Sequence, residues 1–253
     1  MSDKAFLTII PVLLTVLIAM SGVVFYLMLP GDVGPSETSM ESISLRFDGD
    51  GFEFDMDTGV IEAYDDSDFL RNINSTLTSH RYAVSDSVID SLMDVLDERM
   101  VGMSDLNKAR ALLDFIYINI DYETDEEQFG CKEYTQYPSE TLYNGKGDCE
   151  DMAFLLYVLY GKVGLDSILI FCNNHVAVGV DLDGYGKTII HNFKEYTIAD
   201  PTSSVGMGGK DLEQVWFYTR AENPNALTMI SVIIVLAEFV IGHWMFNVRR
   251  VGQ

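Results

Sequence analysis

The sequence predicts an α+β domain, a cysteine-bearing helix packed on a small antiparallel sheet, held between two transmembrane helices. Three observations predict it. After a turn containing Gly145, Gly147 and Asp148, apolar residues recur at helical spacing (Met152, Leu155, Leu156, Leu159). Short apolar runs of strand length follow at 167–171 and 176–180, with Asn173-Asn174 as the turn between them. Long apolar segments occupy 5–29 and 225–246.

The ends set the topology. As a helix, residues 5–29 measure about 37 Å, enough for a hydrocarbon core of roughly 30 Å. The run is too long for a signal-peptide core and lacks an A-x-A site, so it reads as an uncleaved anchor. Lys4 before the first span and Arg249 and Arg250 after the second place both termini in the cytoplasm. The expected organisation is an anchor (1–30), a Gly-, Pro-, Ser- and Glu-rich linker (31–42), an N-terminal extension (43–105), the main domain (106–224), a second membrane helix (225–247) and a cytoplasmic tail (248–253). Glu238 inside the second span fits a helix–helix hydrogen bond.

The extension opens with alternating residues on either side of Asp48-Gly49-Asp50-Gly51, a hairpin signal. The acidic spacing there is not that of an EF-hand, since Gly51 and Glu53 stand where a ligand and the glycine belong. An amphipathic helix follows over 85–100, with Val88, Leu92, Val95 and Leu96 inward, and another over 106–120. Net charge is −23, and all but Asp3 and Glu238 of the 39 acidic residues lie between the apolar segments. Such a domain excludes nucleic acid and anionic lipid headgroups as partners. Its expected partners are the bilayer that holds it and a protein or peptide outside the cell.

Chemistry concentrates in three motifs. Asp148 suits an N-cap and Asp151 the acidic half of a capping box, so Cys149 sits in the first helical turn. Free N–H groups and the positive end of the helix dipole favour a thiolate there, and could hold an oxyanion. Asp148, Glu150 and Asp151 oppose this by crowding the sulfur with negative charge. His175 opens the strand VAVGV, and Asp200 closes the next strand pair just before Pro201. Antiparallel neighbours bring the three side by side: a nucleophile, its base and the group that orients the base. His191, inside IIHNF, reads as packing or surface.

With these motifs the chain from Asn107 to Thr202 resembles the transglutaminase-like superfamily, whose papain-like core holds a Cys-His-Asp triad. KARALLDFIYINIDYETD, PSETLYNGKGDCEDMA, NHVAVGV and ADPT are the matching stretches, and the second is most similar to transglutaminase-like cysteine peptidases of bacterial envelopes. The resemblance implies that Cys149, His175 and Asp200 are catalytic. Two departures stand out: Ala177-Val178 where the family often has a tryptophan after the histidine, and no tryptophan ahead of Cys149 to stabilise the oxyanion. Gln136, Tyr143 and Asn144 are the substitutes for that donor. Some relatives of this kind bind calcium beside the cysteine, which marks Asp148 and Glu150 as calcium ligands here, although the triad chemistry itself requires no cofactor.

The reading that follows is a membrane-anchored extracytoplasmic thiol hydrolase acting on peptide or amide bonds. An acyl transferase that crosslinks proteins uses the same triad, and a non-catalytic binding or assembly module could keep the fold. The three cysteines allow a Cys131–Cys172 disulfide with Cys149 free, or three thiols.

Overall fold

The computed structural model describes residues 39–61 and 83–219. A tight hairpin comes first: β1 (Met40–Phe47) pairs antiparallel with β2 (Asp50–Asp57), Phe47 opposite Asp50. Asp48 and Gly49 both take positive φ (50° and 87°), the backbone that a two-residue turn between right-twisted strands requires. β1 begins inside the segment read as linker. The inward residues Leu45, Phe47, Phe54 and Met56 join the main core, as do Val88, Ile89, Leu92 and Leu96 of α1 (Ser87–Arg99). The extension is therefore built into the same core as the domain that follows it.

α2 (Asp105–Asn119) leads into β3 (Asp121–Tyr122), the short α3 (Asp125–Gln128), α4 (Pro138–Asn144) and β4 (Lys146–Gly147). β3 and β4 pair in parallel, Tyr122 opposite Gly147. The central helix α5 (Cys149–Lys162) follows at once. Its spacing predicts one apolar face, yet Ala153, Phe154, Val158 and Tyr160 are buried along with Met152, Leu155, Leu156 and Leu159. It is a core helix buried over most of its surface, and Tyr160 stays dry by donating its hydroxyl to the Ala109 carbonyl at 3.0 Å. Gly161 lies within this helix rather than ending it; the chain turns at Gly164, φ 78°. Replacing Leu156, fully buried, by alanine is expected to cost about 2–5 kcal/mol in a denaturant titration.

β5 (Ser167–Cys172), β6 (His175–Val180), β7 (Thr188–His191), β8 (Lys194–Ala199) and β9 (Phe217–Thr219) make an antiparallel sheet in the order β7-β8-β6-β5-β9. On β5, Leu169 and Phe171 face the helical core, while Ile168, Ile170 and Cys172 face a second cluster with Tyr196. Burial on both faces explains the unbroken apolar run. β7 and β9 are the two edges, yet the rings of His191 and Tyr218 stand 5.0 Å apart, so the sheet curls strongly on itself. Cys131, Cys149 and Cys172 are all free thiols.

No helix among the described residues is long and apolar enough to cross a membrane. The apolar segments 5–29 and 225–246, with Glu238, lie outside the described residues.

Candidate active site

Local sequence puts Cys149 where it is. Asp148 caps α5, its side chain accepting from the Glu150 N–H at 3.2 Å, and Asp151 completes the capping box. Gly145 ends α4 in the left-handed region (φ 61°), and the Asp121 and Glu123 N–H groups bond the carbonyls of Gly145 and Gly147 at 2.9 and 3.1 Å. A Lys146–Glu123 ion pair at 2.5 Å adds to this clasp. The chain is thus held on both sides immediately before the thiol.

Asp151, fully buried, is the hub beneath it. Its carboxylate accepts from the Gln136 N–H at 2.8 Å, the Gln136 side-chain amide at 2.7 Å and the Asp148 N–H at 3.4 Å. The same Gln136 amide donates to the Lys146 carbonyl at 3.1 Å, and its oxygen accepts from Asn144 at 2.7 Å. The Tyr143 hydroxyl donates to Glu41 at 2.9 Å. Gln136 spends both amide protons, Tyr143 its hydroxyl proton and Asn144 one N–H in these bonds, which fasten α4, β4 and β1 to their neighbours. Sequence order alone could not show this, because the partner of Gln136 is a buried carboxylate one helical turn inside α5.

His175 and Asp200 meet. The imidazole Nε2 lies 2.8 Å from Asp200 Oδ2, and the carboxylate is 1% exposed. Lys210 Nζ reaches the same oxygen at 2.5 Å, and the Thr202 N–H and hydroxyl donate to Oδ1 at 3.0 and 2.7 Å. Burial opposes ionisation of Asp200, but bonds from His175 and Lys210 outweigh it and hold the carboxyl well below its usual range. An ionised Asp200 can only accept, so Nε2 carries the proton and Nδ1 is the basic nitrogen. The Val176 N–H, next along β6 from His175, is directed at the Cys149 sulfur.

The surroundings of the thiol are acidic. Burial pushes the Cys149 thiol up, and Glu150 and Asp148 push it further. Its proton points to Glu150 Oε2 at 3.3 Å. Glu150 is itself raised well above the carboxylate range, by burial first and then by Asp148. Burial also pushes Asp125 up to about 7, against the pull of the Tyr134 N–H at 2.6 Å. Oxygens of Asp125, Glu133 and Glu150 lie within 4.8 Å of one another, as do the ligand atoms of Asp148, Cys149 and Glu150. Tyr122, on β3 and half exposed, feels the same crowd: burial and the charges at Cys149, Asp148 and Glu150 raise its phenol to about 12.

Sequence reading missed Lys210, Thr202, Asp125 and Glu133. Thr202 carried a signal, since an Asp-Pro-Thr corner lets threonine bond the aspartate two residues back. Lys210, in a glycine-rich loop, carried none.

The structure thus sets a buried thiol in the first turn of a helix and a histidine–aspartate pair on a curled antiparallel sheet. No protein-family model matches the chain, and neither does any curated protein. Among solved structures it is similar to Legionella pneumophila LapG, at 18% identity and a TM-score of 0.41, over 59% of this chain and 86% of LapG. The calcium-bound form of LapG gives 19% and 0.42 over the same shares, and the EGTA-treated form 18% and 0.41 over 59% and 83%. At these scores the overlap is loose and decides nothing about chemistry.

Proposed function

We propose that the chain is a thiol hydrolase of peptide or amide bonds, in which Cys149 is the nucleophile, His175 the base and Asp200 the group that orients it. The supporting observation is the His175–Asp200 pair, bonded at 2.8 Å and saturated on the aspartate side, beside a thiol in the first turn of a helix. Cys149 Sγ attacks the acyl carbon while its proton passes to His175 Nδ1. The tetrahedral oxyanion lies against the Cys149 N–H at the start of α5, since the Asp148 side chain takes those of Glu150 and Asp151. Collapse breaks the C–N bond, and the amine leaves with the proton from His175. Water, deprotonated by the same nitrogen, then cleaves the thioester, giving a carboxylic acid and the free thiol.

The acidic setting asks for a counter-cation. Asp125, Glu133 and Glu150, with Asp148, offer the hard oxygen donors that calcium takes, and burial with their mutual repulsion raises all four carboxyls and opposes ionisation at the thiol. These residues fit calcium, which when bound would relieve the charge that holds the proton on Cys149. Millimolar calcium is expected to raise the melting temperature by several degrees relative to EDTA, and Glu133→Gln, an exposed change, to blunt that rise. Equal melting in calcium and EDTA would remove calcium from this reading.

The domain faces the outside of the cell from two membrane anchors, 5–29 and 225–246. The charges at Lys4, Arg249 and Arg250 support that orientation. An impermeant thiol reagent added to intact cells should then reach the partly exposed Cys131, and protection of Cys131 until lysis would reverse the topology.

The catalytic reading is tested by iodoacetamide labelling of the full chain in detergent micelles, followed by intact mass across pH. Cys149 should react faster than Cys131 near neutral pH, and His175→Ala should abolish that advantage. Labelling of Cys149 that rises only near the ordinary thiol range of about 8.5, whatever stands at position 175, would discard the enzyme.

A further inference from the structure

We propose that Lys210 is a fourth member of the catalytic group, a positioning residue that fixes Asp200 and balances its buried charge, so that Nε2 of His175 meets an acceptor held in place. The inference rests on the thiol-nucleophile reading above and adds a component to it.

An ionised carboxylate offers about four lone-pair sites. All four on Asp200 are used: two by Thr202 on Oδ1, one by His175 and one by Lys210 on Oδ2, the last at 2.5 Å. The carboxylate therefore has no freedom to turn, and Nε2 of His175 meets an oxygen whose position is set from both sides. Lys210 lies in the loop 201–216, and that loop is secured without it. The Gly208 N–H bonds the Ile198 carbonyl and the Lys187 N–H bonds the Gly208 carbonyl, both at 2.7 Å. Gly186 and Gly208 approach so closely that a Cβ on Gly208 would stand 2.9 Å from the Gly186 Cα. Lys187 adds an ion pair with Asp211 at 2.9 Å. With the loop already anchored, what the Lys210 ammonium adds is its contact with Asp200.

Charge makes that contact consequential. The groups around His175 are Cys149 and Asp148 at the start of α5, Cys172 opposite it on β5, Asp200 after β8 and Lys210 in the loop. Asp148 and Asp200 are both acidic, and Lys210 is the cation that meets Asp200 besides the imidazole. Without Lys210, a carboxylate that is 1% exposed would have only His175 to offset it, and Oδ2 would lose one of the two donors that fix its position. Lys210 supplies that second donor and the compensating charge.

The test compares Lys210→Met, Lys210→Gln and Lys210→Arg with wild type and His175→Ala in the full chain. It reads iodoacetamide labelling of Cys149 at neutral pH together with the melting temperature. Lys210→Met and Lys210→Gln should slow labelling about ten- to hundredfold with little change in melting, and Lys210→Arg should restore most of the rate, since charge rather than a bare donor is required. Wild-type rates in all three Lys210 variants, with His175→Ala still slow, would overturn the role of Lys210 and leave the thiol reading standing. A wild-type rate in His175→Ala would overturn the proposed function and the role of Lys210 together. Equal slowing in all three Lys210 variants, with a fall in melting temperature, would make Lys210 structural only.

Discussion

Asp200→Asn is expected to lower the reactivity of Cys149 by about three to four orders of magnitude while the domain stays folded. The surroundings of the side chain dictate the outcome. Oδ1 accepts from both the Thr202 N–H and the Thr202 hydroxyl, so the asparagine oxygen must remain there. The new NH2 group then replaces Oδ2 and faces two donors, His175 Nε2 and Lys210 Nζ. Lys210, more than a third exposed, can swing to water; His175 cannot leave. The ring can pair with the amide only by accepting at Nε2, which moves its proton to Nδ1, the nitrogen meant to receive the thiol proton. The base is lost through its tautomer rather than its position. Iodoacetamide kinetics on Cys149, with ring-nitrogen NMR of the histidines, would show both effects. A variant that labels at the wild-type rate, or keeps its proton on Nε2, would remove Asp200 from the mechanism.

Much of the site could be read locally and little of its support could. Asp148 and Asp151 form a capping box around Cys149 written within four consecutive residues, and the hairpin at Asp48-Gly49 and the turn at Asn173-Asn174 are equally short-range. The spacing of Met152, Leu155, Leu156 and Leu159 located α5 but understated it, because period alone cannot report that α2 covers one side and the sheet another. Gln136 shows the limit from the other direction. It sits where an oxyanion donor was wanted, yet its amide is spent on Asp151 and Lys146, a pairing visible only once α4, β4 and α5 are assembled. β9 is the same kind of case: three residues beyond a long loop, placed by pairing with the outer edge of β5.

Two glycines should respond with opposite signs to the same added methyl group. A Cβ on Gly147 would stand 2.8 Å from Asp151 Cβ, 3.1 Å from its Oδ2 and 3.2 Å from Thr141 Cγ2. Neither party can yield cheaply. Gly147 is paired with Tyr122 and accepts the Glu123 N–H, while Asp151 is fixed by the helix and by three bonds from Gln136 and Asp148. Gly147→Ala should therefore cost about 1–3 kcal/mol as overpacking, and more where the Asp151 bonds break. Because the displaced atoms carry the first turn of α5, Cys149 labelling should fall with it. Gly161, in the same helix but exposed, would gain a methyl group with nothing within 4 Å. There the relief of glycine's backbone freedom should raise stability by up to about 1 kcal/mol and leave labelling alone. Denaturant midpoints and labelling rates for the two variants decide it. Equal tolerance at both positions would mean that Asp151 is not held under Gly147 as the structure has it, and that the loop before Cys149 has room to move.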